Sequence, residues 1–88
     1  MSAPCVSLRA GVVAQVFDAE MVLLDVSAGH YFELNASGTL MLQTLLSGAD
    51  REQTIVAVQQ KFQVEAERAA SDLETLLAAL REARLIED

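Results

Sequence analysis

The chain has 88 residues, 52% of them hydrophobic and 22% charged, a globular balance with room for one compact domain and no second folded unit. Its 13 Asp and Glu against 6 Lys and Arg give a formal net charge of −7, which disfavours non-specific DNA or RNA binding, because that depends on cations displacing counterions from phosphates. A domain this small has a modest core, so surface binding is an easier task for it than enclosing a deep active site.

Residues 1–11 mix small residues with Pro4 and Gly11 without a period and read as a flexible N-terminal arm, leaving 12–88 as the single domain. The runs Val12–Phe17 and Met21–Val26 are apolar and β-branched at strand length. Ser27-Ala28-Gly29 supplies a turn whose glycine can take positive φ, and His30-Tyr31-Phe32-Glu33-Leu34 follows as a third strand, completing an antiparallel meander. Asn35 is a good helix N-cap. The first helix carries Leu42, Leu45 and Leu46 on one stripe and ends near Ser47-Gly48. Asp50 with Gln53 resembles a capping box that opens a second helix, whose Ile55, Val58 and Phe62 share a face. The strongest helical signal runs from about Ala66 to Arg84, with Ala69, Leu73, Leu76, Leu77 and Leu80 at amphipathic spacing. Three strands and three helices must share one core, because a small sheet and a short helix pair are each marginal alone. The fold class is α+β.

Little in the chain supports catalysis. One histidine, His30, and one cysteine, Cys5, are too few for a soft-metal site and leave the thiol without an intramolecular disulfide partner. No serine-nucleophile elbow, phosphate loop, zinc-protease helix or calcium loop is present. Glu65, Glu67, Asp72, Glu74 and Glu82 lie along one helix, where a solvated polar face is their default role. Asn35-Ala36-Ser37 matches a glycosylation acceptor, but capping explains Asn35 better. The expectation is a protein that is not an enzyme and needs no cofactor or metal. The first residues lack the pattern of a signal peptide, and no apolar run approaches the ~18–20 residues that span a bilayer, so a cytoplasmic location with no membrane partner is expected.

The informative element is the third strand, which as the last of a meander lies at a sheet edge. It contains no Lys or Pro, the residues that usually guard such an edge. An edge of this kind can accept a partner strand, whose main-chain hydrogen bonds set register while pockets for alternate side chains set selectivity. Tyr31 and Phe32 point to opposite faces, so at most one is core and the other is free for a ligand. A groove forms if part of the Leu73, Leu76, Leu77, Leu80 stripe faces the strand, and Asp72 on its border adds a polar contact.

The residues that carry this argument, Val22-Leu23-Leu24-Asp25, Gly29 to Asn35, the capped helix, and Ala70-Ser71-Asp72-Leu73 with Leu76-Leu77 and Leu80, resemble the PqqD-like family of peptide-recognition domains. Within it, the chain is most similar to the stand-alone recognition proteins of lasso-peptide biosynthesis. The resemblance implies a winged-helix-like fold and a non-catalytic adaptor that binds the leader of a ribosomally made precursor peptide by strand addition. The leader would lie along residues 30–34 and reach into the groove against the last helix, so the implied peptide-binding set is His30, Tyr31, Phe32, Glu33, Leu34, Asp72, Leu73, Leu76, Leu77 and Leu80. It further implies a transglutaminase-like leader peptidase, and beyond it a cyclase, as partners. The chain departs from many relatives in having Met41-Leu42 where an aromatic is common and Arg84 where a glycine often precedes the terminal Leu-Ile pair. Two rival readings remain open: a PqqD-like chaperone serving a radical enzyme in redox-cofactor biosynthesis, and a DNA-binding winged helix, which the negative charge disfavours.

Overall fold

The computed structural model describes residues 6–87. The elements run β1 (Ser7–Leu8), β2 (Val12–Phe17), β3 (Glu20–Asp25), β4 (His30–Leu34), α1 (Ala36–Leu46), α2 (Arg51–Phe62), α3 (Ala66–Glu82) and β5 (Ile86–Glu87). Strands β2-β3-β4 form an antiparallel meander in that order, so β4 has β3 on one side and an open edge on the other.

Turn chemistry fixes the sheet's register. The β2–β3 turn is Asp18-Ala19, with Asp18 left-handed at φ 58°; a positive first φ matches the twist of a two-residue hairpin. The β3–β4 turn places Gly29 at φ 72°, with its N–H donating to the Asp25 carbonyl at 2.9 Å. The resulting pairs include Ala14–Leu23–Phe32 and Val16–Met21–Leu34 on one face, and Val13–Leu24–Tyr31 and Gln15–Val22–Glu33 on the other. Leu23, Met21 and Leu34 are buried against the helices, whereas Val13, Leu24 and Tyr31 are exposed.

Local chemistry also starts and stops the helices. The Asn35 side chain accepts from the Gly38 N–H at 2.9 Å to open α1. Asp50 and Gln53 complete a reciprocal capping box at α2. The predicted third helix ends two residues early, at Glu82, because Arg84 turns left-handed at φ 58°. There the Arg84 N–H donates to the Arg81 carbonyl and the Leu85 N–H to the Leu80 carbonyl, the paired bonds of a Schellman stop.

The core joins the inner sheet face to Met41, Leu42 and Leu45 of α1, Val58 of α2 and Ala69, Leu73, Leu77 and Leu80 of α3. Each fully buried leucine contributes roughly 1.5–3 kcal/mol of apolar transfer. Thr54, fully buried, satisfies its hydroxyl on the Asp50 carbonyl at 2.8 Å.

The expectation of a loose arm over 1–11 is corrected for its described part. Val6 is buried, and β1 pairs antiparallel with β5, Ser7 with Glu87 and Leu8 with Ile86. The Schellman turn aims Leu85 and Ile86 into the core and offers their backbone to β1, a pairing between chain ends that no local pattern reveals. Residues 1–5 of the expected arm, Cys5 among them, lie outside the described residues.

A left-handed backbone strains any residue with a Cβ. Arg84→Gly should therefore stabilise the domain by on the order of 1 kcal/mol, read as a melting temperature higher by about 4–8 °C; a lower one contradicts the assignment of strain to this turn.

Candidate functional site

Main-chain geometry decides which part of β4 is available. The Val26 N–H donates to the Gly11 carbonyl at 3.1 Å, one step beyond the Val12–Asp25 pair. Hydrogen-bonded pairs alternate along an antiparallel ladder, so Leu24, Val22 and Glu20 of β3 bond to β2, while Asp25, Leu23 and Met21 bond to His30, Phe32 and Leu34 of β4. It follows that the N–H and C=O groups of Tyr31 and Glu33 point away from the sheet. Among the described residues, none of the turn, loop, cap or side-chain hydrogen bonds uses them.

Beside this edge lies a cavity of about 420 Å³. Phe32, Glu33 and Leu34 form its strand wall, Asn35, Ser37, Gly38 and Met41 its end at the start of α1, and Arg68, Asp72, Thr75, Leu76 and Ala79 its helical wall. With 3.6 residues per turn, that helical wall is the flank of α3 next to the core stripe Ala69, Leu73, Leu77, Leu80. Gly38 keeps the floor open: a Cβ there would sit 3.2 Å from Asn35 Oδ1, 3.7 Å from Leu34 Cβ and 3.8 Å from Leu76 Cδ2. The rim is polar. Arg68 Nε lies 3.4 Å from Asp72 Oδ2 in an exposed pair, worth at most about 1 kcal/mol and free to exchange partners.

A second cavity of about 280 Å³ lies between His30, Tyr31 and Phe32 and the end of α3, where Glu82, Ala83, Arg84 and Leu85 line it. Phe32 borders both cavities, which makes them two halves of one trough along β4.

The structure thus brings Phe32, Glu33, Leu34, Asp72 and Leu76 together at the main cavity and places His30 and Tyr31 at the second. Leu73, Leu77 and Leu80 are not groove residues: at 1%, 1% and 0% exposure they are core. They share a stripe with Leu76, but Leu76 sits at its edge, where helical rotation turns it outward. Asn35, Ser37, Gly38, Met41, Arg68, Thr75 and Ala79 were not anticipated. Arg68 before Asp72 and Thr75 and Ala79 after it share its face at helical spacing, so a flank as well as a stripe is legible on α3. The α1 residues depend on tertiary approach and have no such signal.

Tyr31 is 67% exposed and continues an exposed apolar row, Val13–Leu24–Tyr31, across the outer face of the sheet. Among the described residues no three metal-binding side chains converge, and no helix is long and apolar enough to cross a membrane.

Residues 20–86 match the family described as coenzyme PQQ synthesis protein D (PqqD). Two solved structures are similar to the chain. TbiB1 in complex with the TbiA(beta) leader peptide is 31% identical with a TM-score of 0.82, over 91% of this chain and 93% of that one. Lasso peptide synthetase B1 complexed with the leader peptide is 28% identical with a TM-score of 0.87, over 96% and 99%. No curated protein matches the chain.

The two leucines separate groove from core. Leu76→Asp should leave a folded domain by circular dichroism, with stability changed by less than about 1.5 kcal/mol. Leu77→Asp should unfold it, since an unpaired buried carboxylate costs several kcal/mol. Equal effects of the two would contradict the placement.

Proposed function

The chain belongs to the PqqD family, and on that premise we propose that it is a non-catalytic adaptor of lasso-peptide biosynthesis that binds the leader of a ribosomally synthesised precursor and delivers it to a leader peptidase. The observation that carries this reading is the open edge of β4, where two residues present unpaired main-chain groups beside an apolar-floored trough. An extended peptide adds a strand there, exchanges hydrogen bonds with Tyr31 and Glu33, and drops alternate side chains towards α3. The two similar structures, each named as a complex with a leader peptide, support the same occupant.

Within this reading the site residues divide by role. Tyr31 and Glu33 supply backbone register. Phe32, Leu34, Met41 and Leu76 supply apolar floor and walls, with Gly38 leaving room between them. Asp72 and Arg68 supply a polar rim that can trade their mutual contact for one with the peptide. Leu73, Leu77 and Leu80 hold α3 in place behind this surface.

Delivery needs a second surface that stays exposed while the leader is bound. The row Val13–Leu24–Tyr31 lies on the outer face of the sheet, with only its Tyr31 end bordering the trough, and exposed apolar patches of this kind mark protein contacts. A transglutaminase-like peptidase is the partner proposed for it, with the cyclase acting on the product of that cleavage.

Binding by strand addition predicts a positional pattern of proline effects. In a panel of fluorescein-labelled lasso-precursor leader peptides, the TbiA(beta) leader among them, at least one should bind the wild-type chain saturably. Tyr31→Pro or Glu33→Pro removes one outward donor worth ~1 kcal/mol and should weaken binding about fivefold or more without unfolding. Phe32→Pro removes an internal ladder bond and should destabilise the sheet itself. Absence of saturation across the panel, or equal binding by Tyr31→Pro and wild type, contradicts strand addition.

A further inference from the structure

We propose that the second cavity is a subsite for a carboxylate side chain, Asp or Glu, on the bound leader strand, received by the guanidinium of Arg84. This rests on the leader-binding reading above and adds to it a chemical preference at one position.

Three observations converge on Arg84. It lines the cavity at the end of the trough together with His30, Tyr31 and Phe32 of the edge strand. Its side chain makes no hydrogen bond or ion pair among the described residues. It occupies the left-handed position of the Schellman stop at φ 58°, where glycine fits without strain. The turn therefore needs only the backbone of residue 84, and a strained non-glycine residue beside a cavity directs attention to its side chain. Leu85 and Ile86, both buried, follow immediately, so the backbone of Arg84 is anchored beside the trough while its side chain stays exposed.

The chemistry follows from the guanidinium. It is always charged, planar and able to bind a carboxylate through two parallel N–H···O bonds. The neighbouring acids do not fulfil that role: Glu82 lines the same cavity but forms no ion pair with Arg84. Asp25, which with Arg9 borders Arg84 on its other side, accepts through Oδ1 from the Ala28 N–H at 3.2 Å. A leader carboxylate entering from the edge meets Arg84, among the described residues the one guanidinium lining the trough without an ion-pair partner.

Alternation fixes where that acid lies. Side chains of an added strand that face α3 are every second residue, so the acid and the apolar residue filling the larger cavity must be separated by an odd number of residues.

A random-peptide library displayed on phage and panned against the whole chain tests this. Wild type should enrich peptides with Asp or Glu at that spacing from an apolar residue. Arg84→Gly should keep the apolar preference and lose the acidic one. For a synthetic enriched peptide and its Asp→Asn or Glu→Gln counterpart, wild type should favour the acid about tenfold or more, Arg84→Gly should bind both equally, and Glu82→Gln should widen the wild-type preference. An acidic preference that is absent, or that survives Arg84→Gly, overturns the subsite while leaving the adaptor reading intact. No enrichment on wild type, or enriched peptides indifferent to Tyr31→Pro, overturns the adaptor reading and the subsite with it.

Discussion

The structure depends on how an antiparallel ladder spends its hydrogen bonds. Each residue of a strand turns its N–H and C=O to one side only, so β3 serves β2 and β4 in alternation and β4 is left with Tyr31 and Glu33 facing outward. Those groups lie at the surface, where water satisfies them cheaply. They are also a place where an extended segment of another chain can exchange its water bonds for protein ones, and unlike the outer edge of β2 they lie beside the cavity walled by α3. Glu33 puts a single charge on an edge otherwise free of guarding lysine or proline.

A bare edge alone would bind extended peptides indiscriminately, and in the proposed function α3 is what makes the site selective. Its core stripe anchors the helix, and the adjacent flank, from Arg68 to Ala79, forms the far wall of the trough. One 17-residue helix thus both stabilises the domain and walls the trough. On the proposed reading, a chain too small for a deep pocket can still discriminate, because a site at the seam between sheet and helix needs no second layer of protein to enclose it. The same economy argues against the DNA-binding rival, because α3 carries Glu67, Asp72, Glu74 and Glu82 against Arg68 and Arg81 and has no cationic face for phosphate.

The parts of the fold legible in the sequence are those governed by local chemistry. Asn35, the Asp50–Gln53 box, Gly29 and the leucine spacing of α3 each act within a few residues, and the observed elements follow them closely. The edge position of β4 followed from meander order alone. The terminal β1–β5 pair escaped because its partners are two-residue strands at opposite ends of the chain. The leucine stripe marks a buried face, but periodicity does not say whether sheet or solvent covers its margin; of its leucines only Leu76 lies at that margin, and the others support the helix from the core. Arg84 stood out as a departure from the family's glycine, but its left-handed backbone and its place in the trough needed coordinates.

Amide hydrogen exchange, resolved by residue with NMR on the monomeric chain, tests the central claim most directly. In the free protein the amides of Tyr31 and Glu33 should exchange at nearly unprotected rates while those of Phe32 and Leu34 are protected, and a bound leader peptide should slow the first pair to the level of the second. Protection of Tyr31 and Glu33 before any peptide is added, or rates that saturating peptide leaves unchanged, would show that β4 is not the docking strand.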